Sequence, residues 1–358
     1  MDLPSRQQVL QALRADGQHI AAVFPAFYPR ELLRAFGFHP VELWAPPVPV
    51  SPAVAEHFQS YTCAIARAGV AFLQAHQFRE VDAVLVPHTC DSLQGVGSVL
   101  RDFIKPAIPV LTLYHPRGGH ACDVEFLAQE IRQLANTLSR HTGKQPSDEA
   151  LLHFVQDEEL ADACMRSFYA DRELLELTDR EFYQCVRSRE YLPNNEFIAL
   201  CNRVPRKASV IENSAIRLCI SGILLQPLTL LDALNARGAR VVCDDLACGA
   251  RRLYQSGTSA DPFLRMAQRL LTTPPEPTRQ ASLASRLQHM NALIQDFRVD
   301  AVVVYDVKFC EPELFDWPHL REALKQWRIP SLHLEFEPED GLSNQTLTRL
   351  EAFLEVLK

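Results

Sequence analysis

The 358-residue chain carries 44 acidic against 36 basic side chains, a net charge of −8, which argues against a nucleic-acid surface. Apolar residues make up 47% of it, enough for a buried core, yet no apolar run approaches the ~18 residues that span a bilayer. Its length suits two domains, and Met1-Asp2-Leu3-Pro4 lacks the basic and apolar regions of a secretion signal, so the expected location is the cytoplasm, where thiols stay reduced.

Strand-like runs at His19–Phe24, Val41–Trp44, Asp82–Val86 and Ile108–Leu113 alternate with helical patterns at Glu31–Phe36, Val54–His76 and Leu93–Ile104. Short apolar runs that end in a polar loop and lead into a helix are parallel strands, and this alternation predicts an α/β domain over residues 1–145. Asp123–Arg140 closes it as an amphipathic helix. Residues 146–210 read as a helical linker, entered at Pro146-Ser147-Asp148-Glu149 and interrupted at Tyr191–Asn195. Residues 211–358 repeat the scheme, with strands Ile216–Ser221, Arg240–Cys243, Ala301–Tyr305 and Ser331–Leu334. The expected fold is α/β: two similar small parallel-sheet, doubly wound domains joined by a helical segment.

The repetition extends to the letters. Val81-Asp82-Ala83-Val84-Leu85-Val86 returns as Val299-Asp300-Ala301-Val302-Val303-Val304, and each copy leads to a loop with a Cys beside an acid, Cys90-Asp91 and Cys310-Glu311. Parallel sheets bind ligands beyond the carboxyl ends of their strands, so two half-proteins each bring a thiol to a shared cleft.

Ten cysteines and no Cys-x-x-Cys exclude a zinc ribbon, a thioredoxin motif and a ferredoxin motif. Cys219 sits inside a strand, and Cys164, Cys185 and Cys201 sit in helical stretches; core packing accounts for these. Cys90, Cys122 and Cys310 each precede a helix, whose dipole stabilises a thiolate. Three convergent thiols suit an iron–sulfur cubane with one iron left for another ligand. Asp244-Asp245-Leu246-Ala247-Cys248-Gly249 follows a strand and faces the same cleft. Gly118-Gly119 makes a permissive loop flanked by His115 and His120, either of which can relay protons there. No GxGxxG or Walker A motif supports nucleotide binding.

From end to end the chain resembles the 2-hydroxyacyl-CoA dehydratase and benzoyl-CoA reductase family, in particular its smaller iron–sulfur subunits of the D-component type. The resemblance rests on Phe24-Pro25 with Pro29–Gly37, Tyr61-Thr62-Cys63 through Arg67, His88-Thr89-Cys90-Asp91-Ser92 and Thr142-Gly143. It continues through Gly238-Ala239, Asp244-Asp245 with Cys248-Gly249 and Arg251, Lys308-Phe309-Cys310-Glu311, Glu335 with Glu337, and Thr348–Phe353. It implies a [4Fe–4S] cluster on Cys90, Cys122 and Cys310, or a double-cubane [8Fe–9S] cluster with added ligands from Cys63, Cys243 or Cys248. It implies an acyl-CoA thioester substrate, a sister subunit of the same family or a second copy of the chain, and a separate ATP-hydrolysing iron–sulfur activator. The implied reaction is elimination of water by way of a ketyl radical. The alternatives are a subunit of an ATP-dependent benzoyl-CoA reductase and a non-catalytic partner subunit. Candidates for proton transfer are His115, His120, Glu31 and Asp245.

Overall fold

A computed structural model describes residues 3–25, 27–46, 52–117, 119–209, 214–279, 281–338 and 341–358. Helix α1 (Arg6–Ala15) leads into β1 (His19–Val23), α2 (Arg30–Ala35), β2 (Phe38–Glu42), α3 (Pro52–Ala55), α4 (Ala64–Ala75), β3 (Ala83–His88), α5 (Asp91–Ser98), β4 (Val110–Tyr114) and α6 (Asp123–Thr142). Helices α7 (Asp148–Ala170), α8 (Asp179–Ser188) and α9 (Asn194–Arg203) follow. The chain continues with β5 (Ile216–Gly222), α10 (Thr229–Asn235), β6 (Ala239–Leu246), α11 (Pro262–Leu271), α12 (Leu283–Asp296), β7 (Ala301–Val307), α13 (Glu311–Gln326), β8 (Ser331–Phe336) and α14 (Asn344–Val356).

The eight strands form two four-stranded sheets of one topology, β2-β1-β3-β4 and β6-β5-β7-β8, with every pairing parallel. The repeated phrase occupies the same place in both. Ala83 pairs with Ala21 and Ala301 with Leu218. The aspartate before each strand does the same work: Asp82 accepts the Ile20 N–H at 2.7 Å, and Asp300 accepts the Arg217 N–H at 2.8 Å. The strands are buried on both faces, which explains their unbroken valine runs.

In each sheet the chain starts at the inner strand, β1 or β5, steps one way to β2 or β6, and then the other way to β3 or β7. The crevice at that reversal is where such sheets take ligands. The two crevices face each other. Leu93 and Val96 of α5, Ile223 and Ala247 of the second domain, and Cys310 belong to one apolar core that runs through both halves. Gly222, with φ +145°, ends β5 so close to β7 that a Cβ would sit 2.2 Å from the Tyr305 carbonyl oxygen.

Two features depart from a division at residues 145 and 210. Helix α7 packs on α2 of the first domain as well as on α9, and α11, from the second half of the chain, packs on α6 and α7. Buried ion pairs tie these pieces together. Arg269 of α11 grips Glu31 at 2.6 Å and Asp162 at 2.7 Å, and Glu42 at the end of β2 accepts from Arg30 at 2.9 Å and from Arg252 at 2.6 Å.

Candidate functional site

Cys63, Cys90 and Cys310 line one cavity of about 50 Å³ between the two domains, together with Pro25, Trp44, Thr89, Leu93, Ile223, Ala247 and Thr278. Each thiol stands at the N-cap of a helix: Cys63 of α4, Cys90 of α5 and Cys310 of α13. Cys90 and Cys310 come from the loops after the equivalent strands β3 and β7, and Cys63 comes from the β2–β3 connection. Past Cys90 and Thr278 lies a second chamber of about 290 Å³, walled by Asp91, Arg117, Glu311, Phe315 and Asp316.

The thiols interact. The Cys310 thiol bonds to the Cys63 sulfur, and that bond, helped by the Ala66 and Ile65 N–H groups and the Arg67 charge, lowers the Cys63 pKa despite its burial. The same bond, together with burial, pushes Cys310 well up. Burial raises Cys90 to about 12, against the pull of the Leu93 and Ser92 N–H groups. Four helix-terminal N–H groups reach the Cys63 and Cys90 sulfurs and would partly offset the charge of thiolates formed there. Among the described residues, no three His, Cys, Asp or Glu side chains close on one point as they would around a single metal ion. In a cubane each thiolate binds a different iron, so a cluster asks for thiols arranged around a cavity. The residues fit such a group.

A family model described as 2-hydroxyglutaryl-CoA dehydratase, D-component, matches residues 25–357. The chain belongs to that family. Across 95% of its length it is 25% identical to the lactoyl-CoA dehydratase subunit beta of Anaerotignum propionicum, covering 92% of that protein. It is 21% identical to the (R)-2-hydroxyglutaryl-CoA dehydratase, subunit beta, of Acidaminococcus fermentans, over 99% of this chain and 96% of that one. It is also 21% identical to a benzoyl-CoA reductase subunit of Thauera aromatica, over 95% and 91% of the two chains.

The structure of this D-component family member brings together two of the three cysteines expected to act jointly, Cys90 and Cys310. Cys122 does not line the cavity. It is exposed at the N-terminus of α6, which follows β4, the edge strand of its sheet, whereas the cavity lies at the reversal beside β1 and β3. Cys63 stands in the cavity instead. It carries the same sequence signal as the others, a cysteine just before an apolar helix.

The remaining expected residues lie elsewhere, each for a definite reason. Cys243 pairs in register with Cys219, accepts a hydrogen bond from its thiol, and belongs to the core under α12 and α13. Cys248 accepts the Leu225 N–H at 3.4 Å, and burial lifts its pKa to about 11. Asp245 is locked by Arg251, with two bonds of 2.8 Å, and by Ser221 at 2.9 Å; Arg251 holds its carboxyl well below the usual range despite burial. Asp244 accepts from Tyr183 and the Ala250 N–H, both at 2.8 Å, and so fixes the turn after β6. Glu31 is committed to Arg269, and burial pushes its pKa up to about 7 against that pull. His115 is buried and held neutral, its pKa lowered to about 3 chiefly by burial. His120 and Gly119 border a separate cleft of about 590 Å³ with Asp123, Glu276 and Arg279. Gly118 lies outside the described residues. None of the four proton-transfer candidates lines the thiol cavity.

Among the described residues no helix is long and apolar enough to cross a membrane.

Proposed function

We propose that the chain is the iron–sulfur subunit of a 2-hydroxyacyl-CoA dehydratase, with Cys63, Cys90 and Cys310 holding a [4Fe–4S] cluster. The observation that carries this is the meeting of three helix-capping thiols, drawn from both domains, in one cavity at the sheet reversals. The Ile65, Ala66, Ser92 and Leu93 N–H groups offset thiolate charge. Pro25, Ile65, Leu93, Ile223 and Ala247 keep water from the sulfurs. When bound, the cluster supplies single electrons at low potential and one iron without a cysteine ligand, the chemistry that water loss from a 2-hydroxyacyl thioester requires. The chamber beyond Cys90 gives an acyl thioester access to the thiols.

Two of the relatives are named as beta subunits of dehydratases, which supports a sister subunit here as well. With no phosphate-binding loop in this chain, the electron would come from a separate ATP-hydrolysing activator. The Thauera relative, at the same 21% identity as the 2-hydroxyglutaryl one, supports a second reading, a subunit of a benzoyl-CoA reductase.

Anaerobically purified protein should contain about four irons per chain. Cys63→Ser should lose most of that iron and Cys122→Ser none; the reverse pattern would overturn the ligand assignment. With sister subunit, activator and reductant, a dehydratase should need only traces of ATP, because the electron returns after each elimination. A reductase should consume ATP in proportion to product.

A further inference from the structure

We propose that the Thr278 hydroxyl donates a hydrogen bond to the group held by Cys63, Cys90 and Cys310, and that this bond raises the group's reduction potential. The proposal rests on the iron–sulfur reading above and adds to it a residue that touches the cluster without ligating it.

Thr278 lines both the thiol cavity and the outer chamber, standing where the two meet. Its Oγ1 is buried and has no hydrogen-bond partner. A hydroxyl so placed costs free energy unless something accepts from it. None of the other polar groups lining the cavity, Thr89 and Ser92 among them, accepts from it. The Trp44 indole N–H is given to Glu42 at 2.7 Å, and the Cys63 and Cys90 sulfurs take backbone N–H groups. Thiolates and sulfides accept hydrogen bonds and do not donate them, so an iron–sulfur group in the cavity is the complement this hydroxyl lacks.

The backbone makes the placement a fixed one. Thr278 is the middle residue of a single 3₁₀ turn, Pro277–Arg279. Its own N–H is held by Glu276 Oε1 at 3.1 Å, and Glu276 is anchored by Arg251 at 3.4 Å. Arg279 stacks over the Phe27 ring at 4.0 Å and donates to the Leu270 carbonyl at 2.8 Å. The side chain between them has little freedom.

The duplication gives an independent reason. Cys90 and Cys310 are counterparts after β3 and β7. Cys63 lies in the β2–β3 connection, and Thr278 lies in the corresponding β6–β7 connection. Four pseudo-equivalent positions therefore reach the cavity, three with thiols and the fourth with the Thr278 hydroxyl, beside the Thr89 and Ser92 side chains. The fourth position holds a hydrogen-bond donor where its counterpart holds a ligand. A donor near cluster sulfur favours the reduced, more negative state and so moves the potential upward.

The test uses the anaerobic holoprotein with Thr278→Val, which keeps shape and removes the hydroxyl, and Thr278→Ser, which keeps the hydroxyl. Iron per chain is measured first, then the midpoint potential by an EPR-monitored titration, then exchangeable-proton couplings by ENDOR in H₂O and D₂O. Thr278→Val should keep wild-type iron, shift the potential to a more negative value and lose one exchangeable coupling, while Thr278→Ser should match wild type on all three. Wild-type iron with an unmoved potential and an unchanged coupling pattern in Thr278→Val overturns the proposal. If Thr278→Val lowers iron, Thr278→Ala replaces it and is judged by the same outcomes. Absence of iron from the wild-type protein would sink the cluster reading itself, an outcome separate from any result on Thr278.

Discussion

Replacing Arg251 with Met should cost about 3–5 kcal/mol of stability and loosen the thiol site, because this guanidinium neutralises three buried carboxylates at once. It is fully buried, as are its partners. Nε and Nη2 each meet Asp245 at 2.8 Å, Nη1 reaches Glu276 at 3.4 Å, and Nη1 also bonds to Glu313. Methionine fills the space but leaves those acids with less compensation. Arg286 still bonds to Glu313 and lies 3.8 Å from Asp245, which places the expected loss toward the lower end of that range. Even ~3 kcal/mol changes an unfolding constant by about two decades. Glu313 sits in the first turn of α13, directly after the Cys310 cap, so its displacement reaches the site. Glu276 holds the Thr278 N–H and carries the same disturbance to the opposite wall. Anaerobic urea unfolding and iron analysis of Arg251→Met and Arg251→Lys against wild type read both effects. Lysine keeps the charge but not the paired geometry and should fall between. A loss under ~1 kcal/mol with iron intact would refute the reasoning.

Acid should destabilise the protein through its buried histidines, with Glu31, raised to about 7 by burial, opposing them in part. Burial lowers His39 and His88 to about 4 and His115 to about 3, so the unfolded chain, with histidines near ~6.5, binds protons that the folded one refuses. Their stabilisation is whole above pH ~6.5 and is lost as pH falls toward ~4, at up to ~1.4 kcal/mol per pH unit for each; equal urea midpoints at pH 7.5 and 5 would contradict this. Asp82→Ala and Asp300→Ala should each cost about 1.5–3 kcal/mol, since each removes a carboxylate from a strand N–H. The Asp82 change should be the larger, because Arg14 also pairs with it at 2.8 Å; the opposite ranking in urea unfolding would count against the equivalence of the two halves.

The sheets were legible in the sequence because parallel strands buried on both faces write themselves as short valine runs, and a duplicated run is visible twice. Boundaries shifted where periodicity says little. The second strand starts at Phe38 rather than Val41, and the stretch after Cys90 is an α-helix to Ser98 followed by a wider π turn over Val99–Ile104. The path of α11 was not legible, because nothing in an amphipathic pattern says which domain its apolar face will meet. Cys90 and Cys310 could be read from their place after repeated strands. Cys122 has the same local form, a cysteine capping a helix, but follows an edge strand, and strand order is a tertiary fact. Asp245 and Glu31 stood out as acids near the cleft, and their arginine partners are 6 and 238 residues away; the distant pairing is what only the fold reveals.

The asymmetry of the site follows from where the duplicated halves differ. Each half brings the loop after its third strand and the connection before that strand to the cavity, so a symmetric protein would present four equivalent groups. In the first half the stretch that leads from β2 to α4 ends in Cys63 at the head of that helix. In the second half the connection is lengthened by α11, which leaves to pack on α6 and α7, and the chain returns through Pro274–Pro277 to the turn that carries Thr278. At the end of that detour the fourth position carries Thr278 in place of a thiol. That wall of the cavity is anchored on both domains, through Arg269 to Glu31 on one side and Glu276 to Arg251 on the other. On the proposed reading a cluster on Cys63, Cys90 and Cys310 would keep one iron free of cysteine, and the position without a thiol holds a hydroxyl on a turn that both domains clamp.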